Sequence, residues 1–463
     1  MASMSSIYRV QNPKNNQIEE SFDFITDEDL ERAIATADEA FHSWRELSYA
    51  ERAERLHAAA KLFDARRDEL SKIIAVEMGK PITEGDGEIN DVVEIFNYYA
   101  DHGEEFAADE EIPTNQGGTA IMRKVPLGVI VGIMPWNYPY YQVARFAAPA
   151  LMAGNVVMLK HAEICPRSSQ IFQTILEEAG FPAGAFTNLY ASHSQIEKVI
   201  ADKRVQGVSL TGSERAGRTI AAQAGQNLKK CVLELGGTDA YVVLDASDVK
   251  EAAKTAWNKR ISNTGQACTS NKRMIVMDDI YDEFVDELVA LAQSYKPGDP
   301  LHPGENEYYP LSSRDAAENL AQQLKVAVDA GATLRTGGQV EGEGAYFTPA
   351  VITDIPVGSA SYYEEFFGPV AEVYKVSSEQ EAIELANNSN YGLGGAVMSE
   401  DTERAKRVAG KIDTGMIHVN IPQARGAELP FGGVKNSGMG RELGPLGMDE
   451  FVNRQRLFVA DEK

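Results

Sequence analysis

Short apolar runs alternate with helical patterns through the middle of this 463-residue chain. The apolar runs fall at 128–134, 155–160, 185–190, 206–210, 231–234 and 240–244. The helical patterns between them fall at 166–179, 194–201 and 214–224. Runs that are apolar throughout are typical of strands buried on both faces, as in a parallel sheet covered by helices. The alternation therefore predicts an α/β chain with a doubly wound parallel sheet.

A second alternation follows and predicts a second domain. Its helical patterns cover 249–262, 280–294 and 315–330, and its apolar runs cover 274–277 and 347–352. Single cores stop growing well below 463 residues, so a division of the chain is expected. We place the boundary near the glycine pair Gly236-Gly237.

The two ends of the chain have other patterns. Apolar residues at helical spacing predict helices over 30–47, 50–78 and 88–106. Residues 111–124 combine turn formers with a short alternating stretch and predict an exposed strand pair or arm. The apolar stretch 456–460 predicts an edge strand that pairs with another strand.

Charge and cysteine usage limit the partners and the location. The chain has 44 basic and 69 acidic residues, a net charge of −25, which disfavours nucleic acid and anionic membranes as partners. Cys165, Cys231 and Cys268 form no CxxC pair and have no zinc spacing, so we expect free thiols and no metal site. The first ten residues lack the apolar segment of a signal peptide, and we expect a cytoplasmic protein.

One strand–helix turn is a candidate phosphate site. The segment 212–219, GSERAGRT, is close to a P-loop, but Arg218 stands where that motif requires lysine, so an ATPase is disfavoured. The backbone N–H groups that open such a helix still suit an anion such as a diphosphate. An ordinary helix capped by Ser213 is the alternative.

Three segments hold polar groups suited to covalent chemistry. Cys268 is surrounded by small and polar residues in NTGQACTS, so its thiol does not lie in an apolar run. Glu234 lies between two leucines, which should raise its pKa toward that of a general base near neutrality. Asn137 is held in the turn Pro-Trp-Asn-Tyr-Pro after a strand. Each feature also has a structural interpretation, since a lone cysteine is more often an inert apolar residue.

Together these segments resemble the aldehyde dehydrogenase family over essentially the whole chain. The matching motifs are PWNYP at 135–139, LTGS at 210–213, LELGG at 233–237, GQAC at 265–268, EEFFGPV at 364–370 and PFGG at 430–433. The resemblance implies two doubly wound parallel-sheet domains plus a small β oligomerisation arm. It assigns 1–104 and 128–235 to the NAD(P)-binding domain, 236–445 to the catalytic domain, and 105–127 and 446–463 to the arm. It also implies a homodimer or a homotetramer.

The resemblance implies a mechanism through a thioester. Cys268 would attack the aldehyde carbon, and the Asn137 amide with the Cys268 N–H would hold the oxyanion. Glu234 would activate the water that hydrolyses the thioester. Family members that transfer the acyl group to coenzyme A lack this base, so a free acid is the expected product. Glu442 would assist a proton relay or form a structural ion pair.

The resemblance also marks a cofactor site. It places Lys160 and Glu163 at the adenosine ribose, Ser213 at the diphosphate, Trp136 at the nicotinamide end, and Glu365 and Phe367 at the nicotinamide ribose. A carboxylate at 163 would accept hydrogen bonds from the ribose hydroxyls and repel a 2′-phosphate. We therefore expect NAD to be preferred, with NADP possible.

Within the family, the segments 137–149 and 154–161 look most like the short succinate-semialdehyde dehydrogenases. That subfamily binds the distal carboxylate of its substrate with an arginine at the position of Arg145, an arginine fork suiting a carboxylate. A surface ion pair is the alternative for Arg145. Ser262 stands where some members have a second arginine, and Arg425 stands where relatives often have serine. Arg425 would compensate or change the substrate.

Succinic semialdehyde is thus the expected substrate, and three alternatives stay open. The chain would instead oxidise another small aldehyde, transfer its acyl group to coenzyme A, or be a non-catalytic relative. Glu234 disfavours acyl transfer, and the intact set of Cys268, Asn137 and Glu234 disfavours the non-catalytic relative. Ser270 takes the place of a second cysteine two residues after the nucleophile, which excludes a disulfide switch there.

Overall fold

The computed structural model describes residues 8–461. The helices are α1 (Asp27–Trp44), α2 (Tyr49–Ala65), α3 (Arg67–Met78), α4 (Ile82–Phe106), α5 (Tyr141–Ala153), α6 (Pro166–Glu178), α7 (His193–Ala201), α8 (Glu214–Gln226), α9 (Val249–Ile261), α10 (Asp278–Ser294), α11 (Arg314–Asp329), α12 (Ala360–Tyr363), α13 (Glu379–Asn387), α14 (Thr402–Ala409) and α15 (Gly444–Asp449).

The strands, in chain order, are β1 (Tyr8–Asn12), β2 (Gln17–Phe22), β3 (Glu110–Ile112), β4 (Thr119–Pro126), β5 (Val129–Met134), β6 (Val156–His161), β7 (Phe186–Asn188), β8 (Val205–Thr211), β9 (Lys230–Glu234), β10 (Ala240–Val243), β11 (Arg273–Met277), β12 (Lys296–Pro297), β13 (Glu307–Tyr308), β14 (Thr333–Thr336), β15 (Val340–Glu341), β16 (Tyr346–Phe347), β17 (Ala350–Thr353), β18 (Val370–Val376), β19 (Tyr391–Gly392), β20 (Gly395–Met398), β21 (His418–Val419), β22 (Val434–Lys435), β23 (Gly438–Met439) and β24 (Val452–Val459).

The first sheet has six strands in the order β23-β9-β8-β5-β6-β7. All neighbours in it are parallel except β23, which is antiparallel to β9. The chain starts this sheet at β5 and builds outward in both directions, so the winding reverses between β5 and β8. Ligands of doubly wound sheets bind beside the carboxyl ends of the strands at such a point. Here the turn after β5 carries Asn137 and the turn after β8 carries Ser213.

The second sheet has seven strands in the order β14-β17-β18-β11-β10-β20-β21, parallel except for β14. Its central strands β10 and β11 are buried and consist of apolar residues apart from Arg273. Cys268 lies on the loop that leads from α9 into β11. The α/β class with parallel sheets is therefore confirmed, while the exact domain limits stay a prediction.

The helices before β5 pack on the first sheet through one large core. Aromatic rings from α2, α4 and α6 meet there, and the centroids of Phe63 and Phe172 are 4.9 Å apart. The pattern over 50–78 forms two helices instead of one, with a break at Arg66 (φ −103°, ψ 15°). The sequence pattern predicts a single helix because both helices bury an apolar face, so the helical spacing of apolar residues continues across the break.

The arm is an antiparallel three-stranded sheet in the order β24-β4-β3. The strand pair predicted over 111–124 is thus present, and the predicted edge strand near the C-terminus pairs with β4 over its whole length. Within residues 8–461 no helix is both long and apolar enough to cross a membrane.

Candidate active site

A cavity of about 250 Å³ opens at the carboxyl ends of β5, β8 and β9. It contains six of the residues that the sequence assigned to catalysis or cofactor binding, including the nucleophile candidate. Its lining residues are Pro135, Trp136, Asn137, Gln142, Thr211, Gly212, Ser213, Leu235, Gly236, Cys268, Glu365 and Phe367.

The Asn137 amide is fixed to the loop that carries Cys268. Its Nδ2 donates to the Gln266 carbonyl at 3.0 Å. Asn263 Nδ2 in turn donates to the Asn137 carbonyl at 2.9 Å and to the Gln266 carbonyl at 3.2 Å. A primary amide has two N–H groups, so one remains for an oxyanion after the bond to Gln266.

The loop before Cys268 has a constrained backbone. Asn263 and Thr264 have φ values of +50° and +51°, and Gly265 has +74°. A Cβ on Gly265 would overlap the carbonyl oxygen of Gly368. Strain of this kind persists only where surrounding contacts fix it, and it is common at functional sites. Here the Gln266 side chain supplies one such contact by accepting from Ser312 N at 2.9 Å.

Cys268 is half-buried, and its thiol is held mainly in the protonated form. Burial raises the pKa of Cys268 to about 11, while the charges of Arg145 and Lys272 oppose the shift. Lys272 Nζ donates to the carbonyls of Ala267 and Cys268, at 2.9 Å each. Lys272 was not predicted from the sequence as a site residue. A lysine four residues after the nucleophile, directly before an apolar strand, is the pattern that could have indicated it.

Glu365 and the aromatic pair form the far wall of the cavity. Glu365 Oε1 lies 2.8 Å from Lys272 Nζ and accepts from Gly237 N at 3.2 Å. The rings of Trp136 and Phe367 meet edge to face, with centroids 5.8 Å apart. On the opposite wall Ser213 caps α8 by accepting from Ala216 N at 3.3 Å, so the predicted cap is present at the mouth of the site.

Glu234 is buried next to the cavity without lining it. Neither carboxyl oxygen has a hydrogen-bond partner among the residues that the structure describes. Burial, and then the charge of Glu442, raise the pKa of Glu234 well above its ordinary value, and Arg145 opposes this. A Cβ on Gly432 (φ +152°) would lie 2.7 Å from Glu234 Oε1, so glycine leaves room for this carboxyl.

Arg145 is buried and faces Glu442. Its side chain is 1% exposed, and its Nε lies 2.6 Å from Glu442 Oε2 in an ion pair that lacks good hydrogen-bond geometry. The guanidinium also lies over the Phe431 ring, 4.0 Å from the centroid. Of the two predicted roles for Glu442, the structure therefore shows the ion pair, and the charge of Arg145 is already offset.

Arg425 lies outside the cavity, on the loop between β21 and β22. Its side chain is 47% exposed, and its Nη1 is 3.9 Å from Asp91 Oδ2. It lies beside the phenols of Tyr138 and Tyr141, which follow Asn137 in the chain.

Lys160 and Glu163 lie together at the end of β6, away from the cavity lining. Lys160 Nζ is 2.5 Å from Glu163 Oε1, and His193 Nε2 is 3.5 Å from the same oxygen. Burial raises the pKa of Glu163, but the charge and the hydrogen bond of Lys160 together outweigh it, so this pKa lies below its ordinary value. The carboxylate is thus ionised and bordered by two nitrogens.

A doubly wound sheet whose switch point faces a cysteine, an amide and an aromatic pair is typical of dinucleotide-dependent enzymes that use a thiol nucleophile. Residues 1–457 match the model of the aldehyde dehydrogenase family. The chain belongs to this family, and it is an aldehyde dehydrogenase by that membership.

Several relatives of named activity are similar to this chain over nearly their whole lengths. A succinate-semialdehyde dehydrogenase [NADP(+)] from Deinococcus radiodurans is 49% identical over 455 residues, which is 98% of this chain and 95% of the relative. A protein of the same name from Mycobacterium avium is 41% identical over 98% of this chain and 96% of the relative. The crystal structure of succinic semialdehyde dehydrogenase from Streptococcus pyogenes in complex with NADP+ is 45% identical, with a TM-score of 0.95, and the match covers 98% of this chain and all of that chain.

The preference for NAD that Glu163 predicted is wrong. The relatives above are NADP-dependent by name, and the Streptococcus pyogenes structure contains NADP+. The physical reason lies in the pairing of Glu163 with Lys160 and its proximity to His193. Because these nitrogens offset the carboxylate, it does not present an isolated negative charge to a 2′-phosphate.

Proposed function

We propose that this enzyme oxidises succinic semialdehyde to succinate with NADP+, through a thioester on Cys268. The observation that carries the proposal is the shared cavity of Cys268 and Asn137 at the switch point of the first sheet. The names of the similar relatives, which match nearly the whole chain, support succinic semialdehyde as the substrate and NADP+ as the cofactor.

The residues at the mouth of the site fit a nicotinamide dinucleotide. The start of α8, capped by Ser213, offers backbone N–H groups for a diphosphate. Trp136, Phe367 and Glu365 would hold the nicotinamide end, and Lys160 with Glu163 the adenosine ribose and its phosphate. When bound, NADP+ accepts the hydride that leaves the substrate carbon. Lys160 supplies a cation and His193 a ring nitrogen that are available to the 2′-phosphate.

Formation of the thioester depends on three groups of the chain. The Cys268 thiol loses its proton to solvent, and its sulfur forms a bond to the aldehyde carbon, which becomes a thioester carbon once its hydride has left. The carbonyl oxygen becomes an oxyanion that accepts from the second Asn137 N–H and from the Cys268 backbone N–H. Lys272 donates to the Cys268 carbonyl and fixes its position, and Glu365 forms an ion pair with Lys272.

Glu234 is the group we assign to hydrolysis. In its ionised form the Glu234 carboxylate has a raised pKa and no hydrogen-bond partner among the described residues, so it can accept a proton from water. The water oxygen then bonds to the thioester carbon, the carbon–sulfur bond breaks, and the thiol is regenerated with a free carboxylic acid. The Glu234 side chain does not line the cavity, so hydrolysis would require this side chain to rotate toward Cys268.

Of the two arginines predicted to bind the substrate, Arg425 suits the role better. The charge of Arg145 is taken up by Glu442 at 2.6 Å, whereas Arg425 has a carboxylate no closer than 3.9 Å in the part of the chain that the structure describes. We therefore assign Arg425 to the substrate carboxylate and Arg145 to holding Glu442.

The test is steady-state kinetics with succinic semialdehyde and with butanal, which lacks the carboxylate, each with NADP+ and NAD+. We expect kcat/KM to favour the semialdehyde by about 100-fold or more, or roughly 2.7 kcal/mol, and NADP+ over NAD+. Equal rates for the two aldehydes would favour a dehydrogenase of another small aldehyde. No turnover of any aldehyde, with an unreactive Cys268, would favour a non-catalytic relative.

We further propose that the enzyme is a cytoplasmic homodimer or homotetramer assembled through its arm. The exposed apolar residues at the end of β24 support the assembly, and the three free cysteines support a reducing compartment.

A further inference from the structure

Two cationic side chains meet on one neutral acceptor. Lys259, in the last turn of α9, donates from its ammonium to Oε1 of Gln423. Arg425 donates from Nε to the same oxygen at 3.3 Å. An amide oxygen carries no net charge, so this arrangement brings the two cations together without neutralising either.

Carboxylates lie at longer range from this pair. Arg425 Nη1 is 3.9 Å from Asp91 Oδ2, which is beyond hydrogen-bond distance. Lys259 forms no ion pair with any residue between 8 and 461. Burial, and then the charge of Arg425, lower the pKa of Lys259 to about 7, while Asp239 and Cys268 oppose the shift from a distance. Such a pair is stabilised when an anion binds between its members.

The pair lies near the loop of Cys268 and outside the cavity proposed for the cofactor. Gln423 and Thr269, the residue after the nucleophile, line a second and narrower cavity. Neither Lys259 and Arg425 nor Gln423 lines the cavity that contains Trp136 and Ser213.

Arg425 also lies beside the chain segment that follows Asn137. It lies beside the phenol of Tyr138, the neighbour of Asn137 in the chain. Lys259 thus lies close enough to Cys268 for the two groups to interact electrostatically, and Arg425 lies beside the segment that carries Asn137, so the pair borders both groups that would hold the aldehyde carbonyl.

We propose that Lys259 and Arg425, aligned by Gln423, bind the distal carboxylate of the aldehyde substrate. The inference rests on the proposed function and adds Lys259 as a determinant of specificity that no motif in the sequence marks. Lysine and arginine together supply a point charge and a fork of donors, which suits the two oxygens of one carboxylate.

The experiment compares the full-length enzyme with its Lys259→Met and Arg425→Met variants. Lys254→Met is the matched control, because Lys254 is an exposed lysine on the same helix. The readouts are kcat/KM with NADP+ for succinic semialdehyde and for butanal, and inhibition of butanal oxidation by succinate. Should Lys259→Met fail to fold, Lys259→Gln keeps a polar group, and Arg425 is exposed enough for its variant to fold.

We expect each variant to lose at least about tenfold in kcat/KM for the semialdehyde, mainly through KM, and to be inhibited less by succinate. Butanal kinetics should change by less than about twofold, as should all kinetics of the control. If the wild type prefers the semialdehyde and both variants keep that preference, the inference is wrong and the proposed function stands. If the wild type shows no preference, the substrate assignment fails and the inference falls with it.

Discussion

Glu234 and Glu442 are two buried carboxyl groups that share one guanidinium. Arg145 lies 2.6 Å from Glu442 and also opposes the rise in the pKa of Glu234. Arg145 is therefore the cation that offsets the negative charge of both carboxyl groups, one of which, Glu234, we assign as the proton acceptor. Removing it leaves two buried acids that ionise only at a high cost in free energy.

Arg145→Met should lower the free energy of unfolding by about 3 kcal/mol or more near neutral pH, because it leaves Glu442 buried without its cation. A buried acid whose folded pKa is raised holds its proton in the folded state, so the stability of the variant should fall as pH rises from 5.5 to 8. Chemical denaturation at both pH values measures this. The double variant with Glu442→Gln should recover much of the loss, and an equal loss at both pH values would contradict the explanation.

The raised pKa of Cys268 predicts slow labelling of the resting enzyme. With a pKa of about 11, the thiolate fraction should rise about tenfold per pH unit between pH 7 and 9, and so should the rate of alkylation by iodoacetamide. Peptide mapping separates Cys268 from the fully buried Cys165. A rate that levels off below pH 8 would show that the thiol is already activated in the free enzyme.

At the scale of elements, the loop of Cys268 depends on a glycine. Gly265→Ala should destabilise the protein by about 1–3 kcal/mol and reduce turnover, because Gly265 has φ +74° and a Cβ would overlap the Gly368 carbonyl. Thermal denaturation and kcat measure the two effects. Gly225→Ala is the control: this glycine of α8 has nothing within 4 Å of a Cβ, so the change should be neutral or stabilising. Equal behaviour of the two variants would refute the explanation.

The buried parallel strands could be predicted from sequence because their apolar runs have few other interpretations. Helix α5 was missed, since it is buried on nearly all sides, contains Pro149 and has no polar face to mark a period. The hairpin β1–β2 was missed because its second strand is exposed and mostly polar.

At the active site, motifs marked Cys268, Asn137 and Ser213 because their chemistry depends on local turns. Pairs distant in sequence escaped prediction: Arg145 meets Glu442 across 297 positions, and Lys259 meets Gln423 across 164. Only the fold brings such groups together. The error over Glu163 has a different origin, because its partner Lys160 is only three residues away and the sequence does not show that the two side chains form an ion pair.

At the scale of the whole molecule, the arm is the surface through which we propose that the enzyme associates. Leu457, Phe458 and Val459 are 38%, 41% and 54% exposed at the end of β24, which is an apolar patch on an edge. Leu457→Lys with Val459→Lys should shift the enzyme toward monomers in sedimentation experiments. Val357→Lys, at a loop valine that is 61% exposed, should leave the sedimentation coefficient unchanged. An unchanged mass of the double variant would show that the enzyme does not associate through this strand.

The antiparallel pairing of β23 with β9 has a consequence for the order of synthesis. Glu234 enters the growing chain about two hundred residues before Gly432 and Gly438, which form its surroundings. A ribosome-bound chain can therefore carry Cys268 and its loop while the hydrolytic half of the site is still incomplete. Activity should therefore appear only after the segment from Gly432 to Gly438 has been added and β23 has paired with β9.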